Sequence, residues 1–257
     1  MDKLIVVVFD NEPKALNGLH ALRELDNSGE ISVYDAQLIV RDPATGIVHN
    51  VDNVDLKGFP DLIGGTVIGT LVGLLGGPIG ALVGATGGML IGAVADAREV
   101  GVTDEFVNDI RGALTPGKAA VCALIDEGEW LMPLDAEMER FGGILFRRIR
   151  SYEKERQEDI DAAAHRAEME QLKAERAKAK ADRLGKIDAR IDHLRVKLES
   201  AIERKRLSMQ KRQQERDAKV KALQAKAAKS EGEIQRRQQA RIAALRRDYE
   251  EALAAGR

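Results

Sequence analysis

Hydrophobic residues recur with different periods along this chain, and each period predicts a different element. "KLIVVVFD", Lys3 to Asp10, is a short β-branched apolar run that predicts a buried strand. In "DNEPKALNGLHALRELDNSG" the stripe Ala15, Leu19 and Leu22 predicts a helix. Asp10 or Asn11 is placed to cap it, Pro13 lies in its first turn, and Asn27-Ser28-Gly29 stops it. "ISVYDAQLIVRD" and "IVHNV" flank the turn residues "PATG" and predict two strands joined as a hairpin.

Further on, "VTDEFVNDIRGALTPG" predicts a helix capped by Thr103, with Phe106, Ile110 and Leu114 on one face. "KAAVCALIDE" is apolar on both faces and predicts a central strand. "PLDAEMERFGG" gives a short helix with Leu134, Met138 and Phe141 on one side, and "GILFRRIR" a last strand. The order is β-α-β-β-(insert)-α-β-α-β. Without the insert and the additional helix and strand it is the ferredoxin-like split βαβ pattern, a two-layer α+β sandwich spanning residues 1–150.

The insert, residues 62–96, has a period of its own. Gly65, Gly69, Gly73 and Gly77 are spaced by four, as are Gly76, Gly80, Gly84, Gly88 and Gly92. On helices that spacing aligns each set on one face. Each interior glycine costs roughly 0.8–1 kcal/mol relative to alanine, so close backbone approach must offset it. Gly76-Gly77-Pro78 breaks the run, which predicts two short helices packed glycine face to glycine face. The eight glycines from Gly65 to Gly92, with Gly76 set aside at the break, are the candidate packing and oligomerisation residues.

The stretch between Asp61 and Asp96 is uncharged, which favours membrane insertion. Each half, however, is slightly short for a hydrocarbon core of about 30 Å, and aromatic belts and flanking Lys/Arg are missing. A hairpin that forms the shared core of a soluble homo-oligomer is the competing reading. No Lys-Ser/Thr follows the glycines, so a phosphate-cradling loop is excluded.

After Ser151 the pattern changes again. There is no proline, Ala, Lys, Arg, Glu and Gln dominate, and a charged helical or coiled-coil arm is predicted over 151–257. Leu184, Ile187, Ile191, Leu194 and Leu198 repeat at 3,4,3,4 spacing as a coiled-coil seam. The seam resumes at Val220, Leu223 and Ala227, and again at Ile242, Leu245 and Tyr249.

Charge sharpens this division. Residues 1–146 hold 9 Lys/Arg and 22 Asp/Glu, a net −13, and residues 147–257 hold 31 and 20, a net +11. The basic arm could bind nucleic acid, anionic lipid or the acidic domain of the same chain. Its two aromatics, Tyr152 and Tyr249, are too few to stack single-stranded bases well.

Candidate chemistry is thin. Cys122 sits mid-strand as a small hydrophobe, and as the single cysteine it forms no intrachain disulfide. The four histidines show no ligand spacing, so no metal is expected. Asp126, Glu127 and Glu129 cluster at a strand end, where a solvated loop is the better reading than a cation site. The amino terminus lacks the pattern of a secretory signal.

The stretches "LIVVVFDNE", "ALRELDNSGEISVYDAQLIVRD", the glycine run, "ALTPGKAAVCALIDE" and "FGGILFRR" together resemble a bacterial family of predicted membrane proteins with a domain of unknown function. The resemblance covers about residues 3–148. It implies an α+β domain carrying a glycine-zipper hairpin and brings no catalytic residue; the arm lies outside it.

The sequence thus predicts a non-enzymatic protein without cofactor, whose first partner is itself. One reading is a self-assembling protein of the inner membrane, cytoplasmic side, with its hairpin among lipids and its arm recruiting a protein partner. The alternative is a homo-oligomeric scaffold of the cytoplasm whose basic arm binds an anionic protein, lipid or nucleic acid.

Overall fold

Every residue of "KLIVVVF" is apolar or long enough to cover apolar surface, so a strand made from it must be buried on both faces. That strand, β1 (Lys3–Phe9), is buried at all seven positions. The computed structural model describes residues 2–51, 66–76, 102–127, 132–149, 153–178 and 181–255. After β1 come α1 (Glu12–Asn27), β2 (Ser32–Arg41), β3 (Val48–Asn50), α2 (Thr66–Leu75), α3 (Asp104–Ala113), β4 (Ala119–Asp126), α4 (Met132–Arg140) and β5 (Ile144–Ile149). The helices α5 (Glu153–Arg176), α6 (Ala181–Ala227) and α7 (Gly232–Ala255) follow. Mixed helix and antiparallel sheet make this an α+β body.

Local signals fix the element ends. Asn11 caps α1 by accepting from the Lys14 amide at 3.0 Å, and Thr103 caps α3 by accepting from the Phe106 amide at 3.3 Å. Gly29, at φ +73, carries the chain out of α1 in a conformation that side chains disfavour.

The five strands form one antiparallel sheet in the order β3-β2-β4-β1-β5. β4 lies between β1 and β2, the strands joined by α1; β1 lies between β4 and β5, the strands joined by α4. Val6 pairs with Cys122 on one side and Phe146 on the other. The β2–β4 register slips between Val33 and Asp35, leaving Tyr34 as the extra residue of a bulge.

Two cores flank the sheet. On one face Ile5, Val7 and Phe9 meet Leu19 and Leu22 of α1 and Leu134 and Met138 of α4. On the other, Leu4, Val6 and Val8 meet Ile68, Leu71 and Leu75 of α2 and Phe106 and Ile110 of α3. The two-layer sandwich expected from the strand pattern is therefore corrected to three layers. The physical reason is visible in the sequence: β1 and β4 are apolar at odd and even positions alike, so both faces need cover.

Of the glycine segment the structure describes the first helix. α2 buries its Ile68-Leu71-Leu75 stripe on the sheet, and Arg111 donates to the Leu74 carbonyl at its end. A Cβ built at Gly69 or Gly73 meets nothing within 4 Å among the described residues. The second helix and Gly65, Gly77, Gly80, Gly84, Gly88 and Gly92 lie outside the described residues. Among the described residues no helix is long and apolar enough to cross a membrane.

The arm is three helices rather than one. Ala228 to Glu231 interrupt it, and Gly232, at φ +60, begins α7. Residues 152–214 form one compact unit, and 215–257 belong to a second together with residues 1–151. Within 152–214, α5 and the first part of α6 run antiparallel: Arg176 bonds Asp188, Arg190 bonds Glu168 at 2.8 Å, and Lys205 bonds Asp159 at 2.8 Å. Leu194 and Leu198 of the seam are buried, while Leu184, Ile187 and Ile191 are half-buried. Half-buried Ala162, His165, Met169 and Leu172 give α5 a matching 3,4,3 stripe.

Candidate functional site

The densest cross-chain chemistry surrounds the turn between α1 and β2. Asp26, on the last turn of α1, is 2% exposed and accepts from the Val33 amide of β2 at 2.9 Å, which pins the turn to the sheet. A carboxylate so buried needs a cation. Lys226 supplies it, its Nζ donating to both Asp26 oxygens at 2.6 Å.

Other bases converge on the same end. Lys219 pairs with Asp2, and its Nζ sits 4.8 Å from the centroid of the Tyr34 ring. Arg237 pairs with Glu30, and Arg241 donates to the Ser32 hydroxyl and the Glu30 carbonyl at 2.7 Å each. Lys219, Leu223, Lys226 and Ala227 share one face of α6, and Leu223 and Ala227 are buried on it. Arg216 lies over the Tyr249 ring, 4.0 Å from its centroid, and ties the end of α6 to α7.

Tyr34 reports the electrostatics of this clasp. Its pKa is raised well above 10.0, first by burial and then by the negative charges of Asp126 and Asp2, with Arg241 opposing them. Its hydroxyl has no hydrogen-bond partner among the described residues.

A second ionic cluster stands where β4 ends. The Glu127 side chain is fully buried between Lys3 Nζ at 3.1 Å and Arg147 Nε at 2.7 Å. The Nε contact is an ion pair rather than an aligned hydrogen bond; Arg147 Nη2 donates to the other Glu127 oxygen at 3.2 Å and also bonds Asp135. Burial works to lower the Arg147 pKa, but the Asp135 hydrogen bond and the Glu127 charge outweigh it and hold it above its usual value. The solvated loop expected here is thus corrected at Glu127: it is buried because residues 3 and 147, from the two paired neighbours in the sheet, bring cations to it. Its charge is already neutralised, so it offers no site to an added cation. Glu129 lies outside the described residues.

Cys122 is a buried free thiol whose pKa is pushed up to about 12, by burial first and then by Asp35, so it is no nucleophile at neutral pH. Among the described residues no three His, Cys, Asp or Glu side chains group as metal ligands. Of the glycines singled out by spacing, Gly69 and Gly73 lie side by side on α2; of the seam, Leu194 and Leu198 lie deepest. The clasp itself escaped the spacing rules, since its partners stand 200 and more residues apart. The opposed charges of the two chain halves were the signal for it.

Residues 62–164 match the model of a family described as a protein of unknown function, DUF1269. The match begins in the glycine segment, runs through α2 to β5 and ends within α5, covering less than half of the chain. It starts later and ends later than the resemblance expected over 3–148. No curated protein and no solved structure matches the chain.

Proposed function

We propose that the protein is a non-enzymatic, self-assembling scaffold: a ferredoxin-like core, widened by β3, α2 and α3, whose glycine-rich segment packs against the same segment of other copies. The observation that carries this reading is the seating of α2. Its leucine side seals a sheet face that would otherwise meet water, so its withdrawal into lipid would expose Leu4, Val6 and Val8. The glycine side, at Gly69 and Gly73, points away from that core and meets no described residue, which leaves room there for another backbone. The ionic clusters support the non-enzymatic part, because the carboxylates of each are held by cations of the same chain.

The uncharged stretch beyond α2, up to Asp96, favours a second reading in which residues after the Gly76-Gly77-Pro78 break associate with lipid while α2 stays on the sheet. That version places the protein on the cytoplasmic side of the inner membrane; the first places it in the cytoplasm.

One experiment separates them. The full chain is fractionated, membranes are washed with carbonate, and particle size is measured with and without detergent. The scaffold reading expects detergent-independent oligomers, broken into smaller species by Gly73→Leu while the far-ultraviolet spectrum is unchanged. Retention in washed membranes overturns it in favour of the lipid reading. A monomer that Gly73→Leu leaves unaltered overturns both.

A further inference from the structure

We propose that the stretch from Lys219 to Arg241 is a releasable strap, a contact in which the acidic end of the body and the basic face of α6–α7 mask one another and which separates as a unit when the attraction between them is screened. The inference does not depend on the scaffold reading.

The chemistry of the contact sets it apart from the other helices on the body. α1 and α4 reach the sheet through Leu19, Leu22, Leu134 and Met138, all part of a continuous core. Among the described residues, none beyond Phe146 belongs to either core. The strap is held instead by Lys219 on Asp2, Lys226 on Asp26, Arg237 on Glu30 and Arg241 on Ser32 and the Glu30 carbonyl. Its fully buried apolar anchors among the described residues are Leu223 and Ala227. Lifting it away therefore removes no strand and opens no core, apart from uncovering the ring of Tyr34 beneath Lys219.

Charge acts beyond the pairs. The strap lies in residues 215–257, which hold 11 Lys/Arg and 7 Asp/Glu, against an acidic residue 1–146 stretch of net −13. Asp126 adds its field beside Asp2 and Asp26 at Tyr34. This long-range attraction is what salt removes, since the screening length falls from about 10 Å at 0.1 M to about 3 Å at 1 M. Contacts of this kind, with few apolar anchors, open at lower free energy than the core they rest on. When the strap is on, Asp26 and Glu30 are closed to any other base; when it is off, both an acidic surface and a basic helical face are presented.

Amide hydrogen exchange on the full-length protein tests this, in low salt and in about 1 M NaCl. The expected result is exchange on the order of ten-fold faster over residues 219–241 in high salt, with β1 and β4 amides unchanged. Lys226→Gln tests the central pair without disturbing the Asp26–Val33 bond, and it should produce the same local acceleration in low salt. Glu30→Lys should release the α7 part of the strap, and adding Arg237→Glu should restore it, a rescue that a merely structural role would not give. Strap amides that exchange together with β1 and β4 at every salt concentration, or a charge-swapped pair that stays open, would overturn the proposal.

Discussion

β1 and α6 represent two ways of holding a chain. All seven residues of β1 are buried, and it joins two cores at once. α6 runs for 47 residues, and among its described side chains the buried ones are Leu194, Leu198, Lys219, Leu223 and the terminal Ala227. Burying one large apolar side chain contributes roughly 1.5–3 kcal/mol, whereas an exposed ion pair contributes about 0–1 kcal/mol. The sheet is therefore held by volume and α6 largely by propensity and charge. Each should be insensitive to the perturbation that damages the other.

Leu22→Ala gives the largest expected effect. Leu22 is fully buried between α1 and the sheet, so its truncation should cost about 2–5 kcal/mol, read as a lowered denaturation midpoint for the whole body. The same change at Leu198 should loosen only the α5–α6 pair, seen as lost helical signal with the sheet amides still protected. Equal losses at both positions would dissolve the distinction.

Glycine sharpens it, because one substitution should have opposite signs in the two regions. A Cβ at Gly18 in α1 would lie 2.3 Å from the ring edge of Phe9, itself buried against Ala15 and Leu19. Gly18→Ala should destabilise by about 1–3 kcal/mol through overpacking. A Cβ at Gly185 in α6 meets nothing within 4 Å among the described residues. Gly185→Ala should stabilise its helix by roughly 0.8–1 kcal/mol through propensity alone. Thermal melts of the two variants give the comparison directly.

The sequence was most legible where a signal is local. Asn11, Pro13 and Gly29 bracket α1, Thr103 opens α3, and the apolar runs give β1 and β4, because caps, turns and short periods act within a few residues. It was least legible where the partner is distant or the pattern degenerate. In α2, leucine and glycine recur at the same helical spacing, so an element apolar all round does not declare which side meets the sheet. The apolar period at 184–198 says nothing of whether another chain or the preceding helix fills it. Glu127 reads as one acid among several until the sheet brings Lys3 and Arg147 beside it. The clasp at Asp26 joins residues 200 apart, and only the opposed charges of the two chain halves foreshadowed it.

The smallest expected effect is acid sensitivity of the α5–α6 pair. Asp188 is held below the usual carboxylate range by its hydrogen bond from Arg176 and by that charge, and Glu203 likewise by Arg206. A carboxylate depressed in the folded state contributes stability that is fully present above its unfolded value, about 4, and is lost as pH falls through the folded value. Acidification below about 4 should therefore fray this pair. Asp10 and Asp42 are also depressed, by Lys14 and by the Thr45 amide, but they lie on turns outside the two cores. Helical signal should accordingly fall with acid before the near-ultraviolet signal of buried Tyr34 does. High salt at neutral pH should mimic the first change, because the pairs are exposed and screened. Were both signals to fall together in acid, the separation between a volume-held sheet and charge-held arm helices would not extend to pH.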